Sequence, residues 1–150
     1  MRDAGLDPAS HCQALWVPLA WMNPRLAPVR LRATANDAEE QRLVDHLRAD
    51  SGITAIMTNN DAVALHAAAA LRRGGIPVPG PVSIIGHDDT DPLPGPEGEN
   101  LLSSIALPLE DIGRAAAEAL LRQIADPGAP QETITLPSRF APRATLTRRT

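Results

Sequence analysis

Between Ile53 and Gly86 the sequence writes a strand, a helix and a second strand in immediate succession, and that order leaves few folds open. Ile53 to Thr58 is a short β-rich run and Asn59-Asn60-Asp61 a polar corner. Val63, Ala64, Ala67, Ala68 and Leu71 then recur at the spacing of one helix face. Gly74-Gly75 closes that helix and a proline-marked loop follows. Val82-Ser83-Ile84-Ile85-Gly86 is next, a continuous apolar run of the kind buried on both faces of a parallel sheet. Parallel neighbours need a crossover connection, usually a helix. The expectation is an α/β fold with a parallel, Rossmann-like sheet.

The flanks extend this pattern. Asn36 offers an N-cap with Glu39 three residues on, and Leu43, Val44 and Leu47 form an apolar stripe ending near Gly52. His87 to Asn100 reads as a long loop, which makes it functionally suspect. Ile112, Ala115, Ala116, Ala119 and Leu120 mark a further amphipathic helix running to about Ile124, stopped by Asp126-Pro127-Gly128. Two short strands are expected at Thr133 to Leu136 and Ala144 to Thr147. A strand is also read near Ala14 to Val17, inside an irregular stretch from Gln13 to Arg32. The opening MRDAGLDP resembles the last turn of a helix, with Gly5 as its left-handed close and Pro8 barring continuation, so the element is expected to begin upstream. No internal repeat is visible.

Composition narrows the function classes. Apolar residues make up 43% and charged residues 21%, which is ordinary globular usage. Trp16, Trp21 and Phe140 are the only aromatics, so the core must be built from Ala, Leu, Ile and Val, and platforms for stacking bases or sugars are scarce. The net charge of -4, with arginines scattered from Arg2 to Arg149, lacks the basic stripe of a DNA-binding surface. The apolar stretch Ala14 to Met22 is broken by Pro18 and is too short to span a bilayer. Neither a signal peptide nor a disulfide partner for Cys12 is seen, so the expected location is the cytoplasm.

In an open parallel sheet, ligands sit beyond the carboxyl ends of the strands, where loops and helix N-termini converge. Two polar clusters fall there: Asn59, Asn60 and Asp61 after the first strand, and His87, Asp88, Asp89 and Thr90 after the second. Amide donors and carboxylate acceptors of this kind bind sugar or nucleoside hydroxyls. The plainer alternative makes Asn60 or Asp61 a helix cap and Asp89 or Thr90 a turn residue. Asp88 has no helix behind it to cap, which leaves ligand binding as its better explanation. His87-Asp88-Asp89, His66 and His11-Cys12 lack the spacing of metal ligands, and His46 and His66 read as helix-surface residues. No metal or cofactor is expected. With no G-x-S-x-G elbow and no phosphate-cradling glycine loop, an enzyme is not expected either.

The run TAIMTNNDAVALHAAAALRRGGIPVPGPVSIIGHDDTD, residues 54–91, resembles the lac repressor family (LacI/GalR-type regulators) in order, spacing and residue type. SSIALPLEDIGRAAAEALLRQI is similar to that family's crossover segment and following helix, and LPSRFAPRATLTRR to its closing strand pair, including Arg143. The resemblance covers most of the chain from about Asn36. It implies a two-lobed, periplasmic-binding-protein-like (type I) sensor domain that clamps an effector, often a sugar or purine, and thereby alters operator affinity. Residues 1–103 would belong to the second lobe, 104–127 to the crossover and a helix of the first lobe, and 128–150 to the closing strands. The rest of the first lobe, the helix-turn-helix head, the hinge helix and an upstream effector-contacting arginine are expected outside this sequence.

By position, Asn60 and Asp88 match the family's effector-contacting residues. His87 stands where an aromatic is usual, and Leu107 where many members are polar. Trp16 or Trp21 could stack on a sugar or lie buried in the core. The resemblance further implies a homodimer, a small-molecule effector and no direct DNA contact by this chain. The alternatives are a solute-binding protein of a sugar transporter and a truncated gene product without activity of its own.

Overall fold

The computed structural model describes residues 31–49 and 52–147, with side chains from Ala38 onward. The strand read near Ala14 to Val17, the opening helix turn, Trp16, Trp21, His11-Cys12 and Arg148-Arg149 lie outside the described residues. Along the chain come α1 (Leu31–Ala49), β1 (Ala55–Met57), α2 (Asp61–Arg73), β2 (Ser83–Asp88), β3 (Ser103–Ala106), α3 (Leu109–Ala125) and β4 (Arg139–Ala141). They build one four-stranded sheet in the order β1-β2-β3-β4. β1, β2 and β3 are parallel, with Ile56 opposite Ile84 and Gly86 opposite Ser104, whereas β4 runs antiparallel to β3.

The helix-period residues of α2 are its buried ones: Val63, Ala64, Ala67, Ala68 and Leu71 pack against Val82, Ile84 and Leu102 of the sheet layer. The alanines leave room for α1, whose Leu43, Val44 and Leu47 join the same core. Gly74, at the end of α2, lies where a Cβ would meet both methyls of Val44. Arg73 and Glu40 form an ion pair between the helices, and Arg48 donates to the Gly74 carbonyl at 2.8 Å. His66 is half-buried on its helix, and burial lowers its pKa against a smaller opposing effect of Glu40.

Four expectations change. α1 starts at Leu31, so Asn36 lies within the helix instead of capping it. Residues 103–106, read only as a crossover, form β3, because Ser103 and Ser104 are buried in the sheet despite their polarity. Neither Thr133 to Leu136 nor Ala144 to Thr147 is a strand; the strand of this region is β4, paired on β3. Thr145 instead seals the amino-terminal ends of β2 and β3. Its carbonyl accepts from Ile84 N–H and its own N–H donates to Leu101, while its hydroxyl donates to the Ile84 carbonyl and accepts from Ser103 N–H.

The fourth change is on the sheet's far face. Ile85 is half-buried there and Met57 is 68% exposed, so among the described residues the sheet is closed on the α2 side only. α3 shares this openness: it has no buried residue, and Leu109, Ile112, Leu120, Leu121 and Ile124 are all exposed. No helix among the described residues is long and apolar enough to cross a membrane.

Candidate functional site

Parallel strands end together, so β1, β2 and β3 deliver their following residues to one edge of the sheet. Asn60 follows β1, Asp88 closes β2, and Leu107 follows β3 with its N–H 3.4 Å from the Asp88 carbonyl. The two sequence clusters therefore share one edge, as the strand order requires.

At Asn60 the backbone is extended (φ -158°, ψ 170°), and the side-chain Oδ1 accepts from Val63 N–H at 2.9 Å. Asn60 is thus the N-cap of α2, satisfying one of the orphan amides of its first turn. Capping and ligand contact are compatible for an amide side chain, which has two donor hydrogens besides the capping oxygen.

Asp61 has a different task from the cap that sequence reading left open for it. It is fully buried. Its Oδ2 accepts from the N–H groups of Thr90 (2.7 Å) and Asp91 (3.3 Å), and its Oδ1 from the Ser104 hydroxyl on β3 (2.6 Å). Gly86 leaves the room for this carboxylate, since a Cβ there would collide with Oδ1.

Asp88 and Asp89 both have positive φ, 99° and 60°. Non-glycine residues in this region cost about 1 to 3 kcal/mol each and persist where the surroundings over-determine them, commonly at ligand sites. His87 Nδ1 lies 2.8 Å from Asp88 Oδ1, and both side chains are about one-third exposed at the rim. Asp89 turns inward and receives both Nη groups of Arg143, at 2.6 and 2.9 Å; Arg143 Nη1 also donates to the Leu102 carbonyl at 2.6 Å. Hydrogen bonding from Arg143 holds the Asp89 carboxyl below the usual carboxylate range, with burial opposing. Asp89 raises Arg143 in return. The adjacent aspartates thus divide the work, Asp89 bracing the loop and Asp88 facing outward. The long loop is itself tied down: Asn100 Oδ1 accepts from Leu93 and Leu102 N–H, and Pro94 bridges to Asn100.

The periplasmic binding protein-like domain family matches residues 9–146, nearly the whole length. The chain belongs to that family. Among the solved structures that resemble it are LacI family transcriptional regulators. One from Enterococcus faecium, with bound ribose, is 30% identical over 71% of this chain and 39% of its own, with a TM-score of 0.58. One from Arthrobacter sp. FB24, in complex with lactose, is 30% identical over 73% and 41%, also at 0.58. A LacI-family regulatory protein from Corynebacterium glutamicum is 32% identical over 73% and 42%, at 0.53. The chain therefore spans about two fifths of the length of these regulators. No curated protein matches.

The fold class expected from residues 54–91 is thus the observed one, with the antiparallel β4 added to the parallel sheet. Among the described residues no group of three or more His, Cys, Asp or Glu side chains could hold a metal ion. A cleft of about 650 Å³ opens at the opposite edge of the sheet between Leu47, Ile53, Ile76, Val82 and Thr147. It is mainly apolar and lies away from the strand ends that carry Asn60 and Asp88. Missed in the sequence were the buried carboxylate of Asp61 and the Asp89–Arg143 pair. Both join residues 29 or more positions apart, for which local pattern has no signal.

Proposed function

We propose that this chain is the effector-sensing part of a LacI-type transcription regulator, with Asn60 and Asp88 as its contacts to a sugar or related polyhydroxy metabolite. The observation that carries the reading is the shared edge: an amide at a helix N-cap and a carboxylate on a strained, braced turn, side by side at the carboxyl ends of parallel strands. Sugar-bound neighbours at 30% identity support the ligand class. His87, paired to Asp88, forms the rim, and Trp16 and Trp21 remain candidates for stacking. The chemistry is reversible binding, not catalysis, and needs no cofactor.

In this reading the lobe that begins with residues 1–103 also takes in the rest of β3, residues 104–106, and the closing segment 128–150. Residues 107–127 carry the crossover and a helix of the other, to which the exposed apolar side of α3 belongs. The regulator works in the cytoplasm as a homodimer, and its DNA contacts come from a separate head.

The test is a heteronuclear NMR titration of the chain with ribose, lactose and adenosine. One wall of a clamp should bind in the millimolar range, near -4 kcal/mol, with amide shifts centred on Asn60 and Asp88. Asp88→Asn, which tolerates positive φ, should weaken binding about tenfold through loss of a charged acceptor. Shifts confined to the opposite cleft around Ile53 and Val82, or no response to any of the three, would overturn the proposal.

A further inference from the structure

Asn60 and Asp88 sit on different elements, and a ligand reads the distance between them. α2 carries Asn60, and Asp88 ends β2 in a backbone conformation that needs outside support. One side chain joins the two. Asp61 is the first residue of α2, adjacent to Asn60, and its carboxylate grips the N–H groups of Thr90 and Asp91, two and three residues beyond Asp88. The other oxygen is fixed on β3 through Ser104.

Resting on the reading above, we propose that Asp61 is the positioning residue of this crevice: its buried carboxylate, held between β3 and the turn after β2, sets Asp88 relative to Asn60. Three features support a positioning role over simple burial. The carboxylate is fully buried yet receives three donors from two separate elements, so removing it would release both at once. The amides it holds belong to the turn whose two preceding residues have positive φ, where an unsupported turn would relax. Gly86, on β2 itself, is the steric condition for its position. Arg143 adds a second brace to the same turn through its two hydrogen bonds to Asp89.

The test uses the whole chain and four variants: Asp61→Asn, Gly86→Ala, which displaces the carboxylate without removing a hydrogen-bonding group, Ser104→Ala and Ser104→Thr. Amide hydrogen exchange at Thr90 and Asp91 and the HN–Hα coupling of Asp88 are read first, then a ribose titration. Exchange at the two amides should quicken about tenfold, the consequence of losing one charge-assisted hydrogen bond, while Leu71 in α2 stays protected. The Asp88 coupling should change and ribose binding should weaken. Ser104→Thr, which keeps the hydroxyl, should behave as wild type.

Should Asp61→Asn fail to fold, Gly86→Ala and the Ser104 pair decide the matter. Unchanged exchange in folded Asp61→Asn, Gly86→Ala or Ser104→Ala would overturn the proposal, as would faster exchange with the Asp88 coupling and ribose affinity both unaltered. If exchange and coupling change but wild type ignores ribose, lactose and adenosine alike, positioning stands and the ligand reading fails.

Discussion

Replacing Arg143 by Met removes the guanidinium that ties the closing segment to the loop after β2 while keeping an apolar stem of similar reach. In the folded chain Arg143 makes two bonds to Asp89 and one to the Leu102 carbonyl, with the paired side chains 24% and 15% exposed. A fully exposed pair would contribute about 0 to 1 kcal/mol, and breaking a fully buried one costs about 3 to 5 kcal/mol. This pair is mostly buried but still reached by water, so the variant should lose about 2 kcal/mol, or roughly 4 to 8 °C in Tm for a chain of this size.

A double-mutant cycle with Asp89→Asn, followed by urea unfolding at pH 7, should give a coupling of about 1 kcal/mol or more. The coupling has a direction in pH. The Asp89 carboxyl is held low chiefly by its hydrogen bonds from Arg143. A carboxyl whose pKa falls on folding stabilises fully above its unfolded value, and loses that contribution as pH drops through the folded one. The wild-type advantage should therefore be complete at pH 7 and shrink below about pH 4. A coupling within about 0.5 kcal/mol of zero at pH 7, or one that grows on acidification, would refute the reasoning.

Three further outcomes are expected. Leu71→Ala, at a side chain with no exposed surface, should destabilise the chain by about 2 to 5 kcal/mol in the same unfolding assay. The open apolar side of α3 should make the chain bind a hydrophobic dye or self-associate with concentration, measured by fluorescence and sedimentation, and Leu120→Glu with Ile124→Glu should suppress both. With a net charge of -4, the chain should show no saturable, sequence-dependent retention of DNA in a mobility-shift assay at micromolar protein.

The α/β class, the parallel pairing of β1 and β2, and the core faces of α1 and α2 were all legible in the amino-acid sequence by itself. Each is written in local periodicity: the spacing of Val63, Ala64, Ala67, Ala68 and Leu71, and the unbroken run Val82 to Ile85, state which side must leave water. The edge carrying Asn60 and Asp88 was legible too, because strand direction alone dictates it. What the sequence could not state was which of several neighbouring polar residues does which task. Asn60 rather than Asp61 caps α2, Asp61 braces the turn from beneath, and Asp89 pairs with Arg143 while Asp88 remains at the rim.

β3 escaped notice for a related reason. Ser103 and Ser104 read as polar linker residues until partners far along the chain satisfy their hydroxyls, Ser103 on the Arg143 carbonyl and Ser104 on Asp61. A buried polar group is tolerable only when its hydrogen bonds are made. Those bonds close between residues 40 or more positions apart, so only the tertiary structure could decide them.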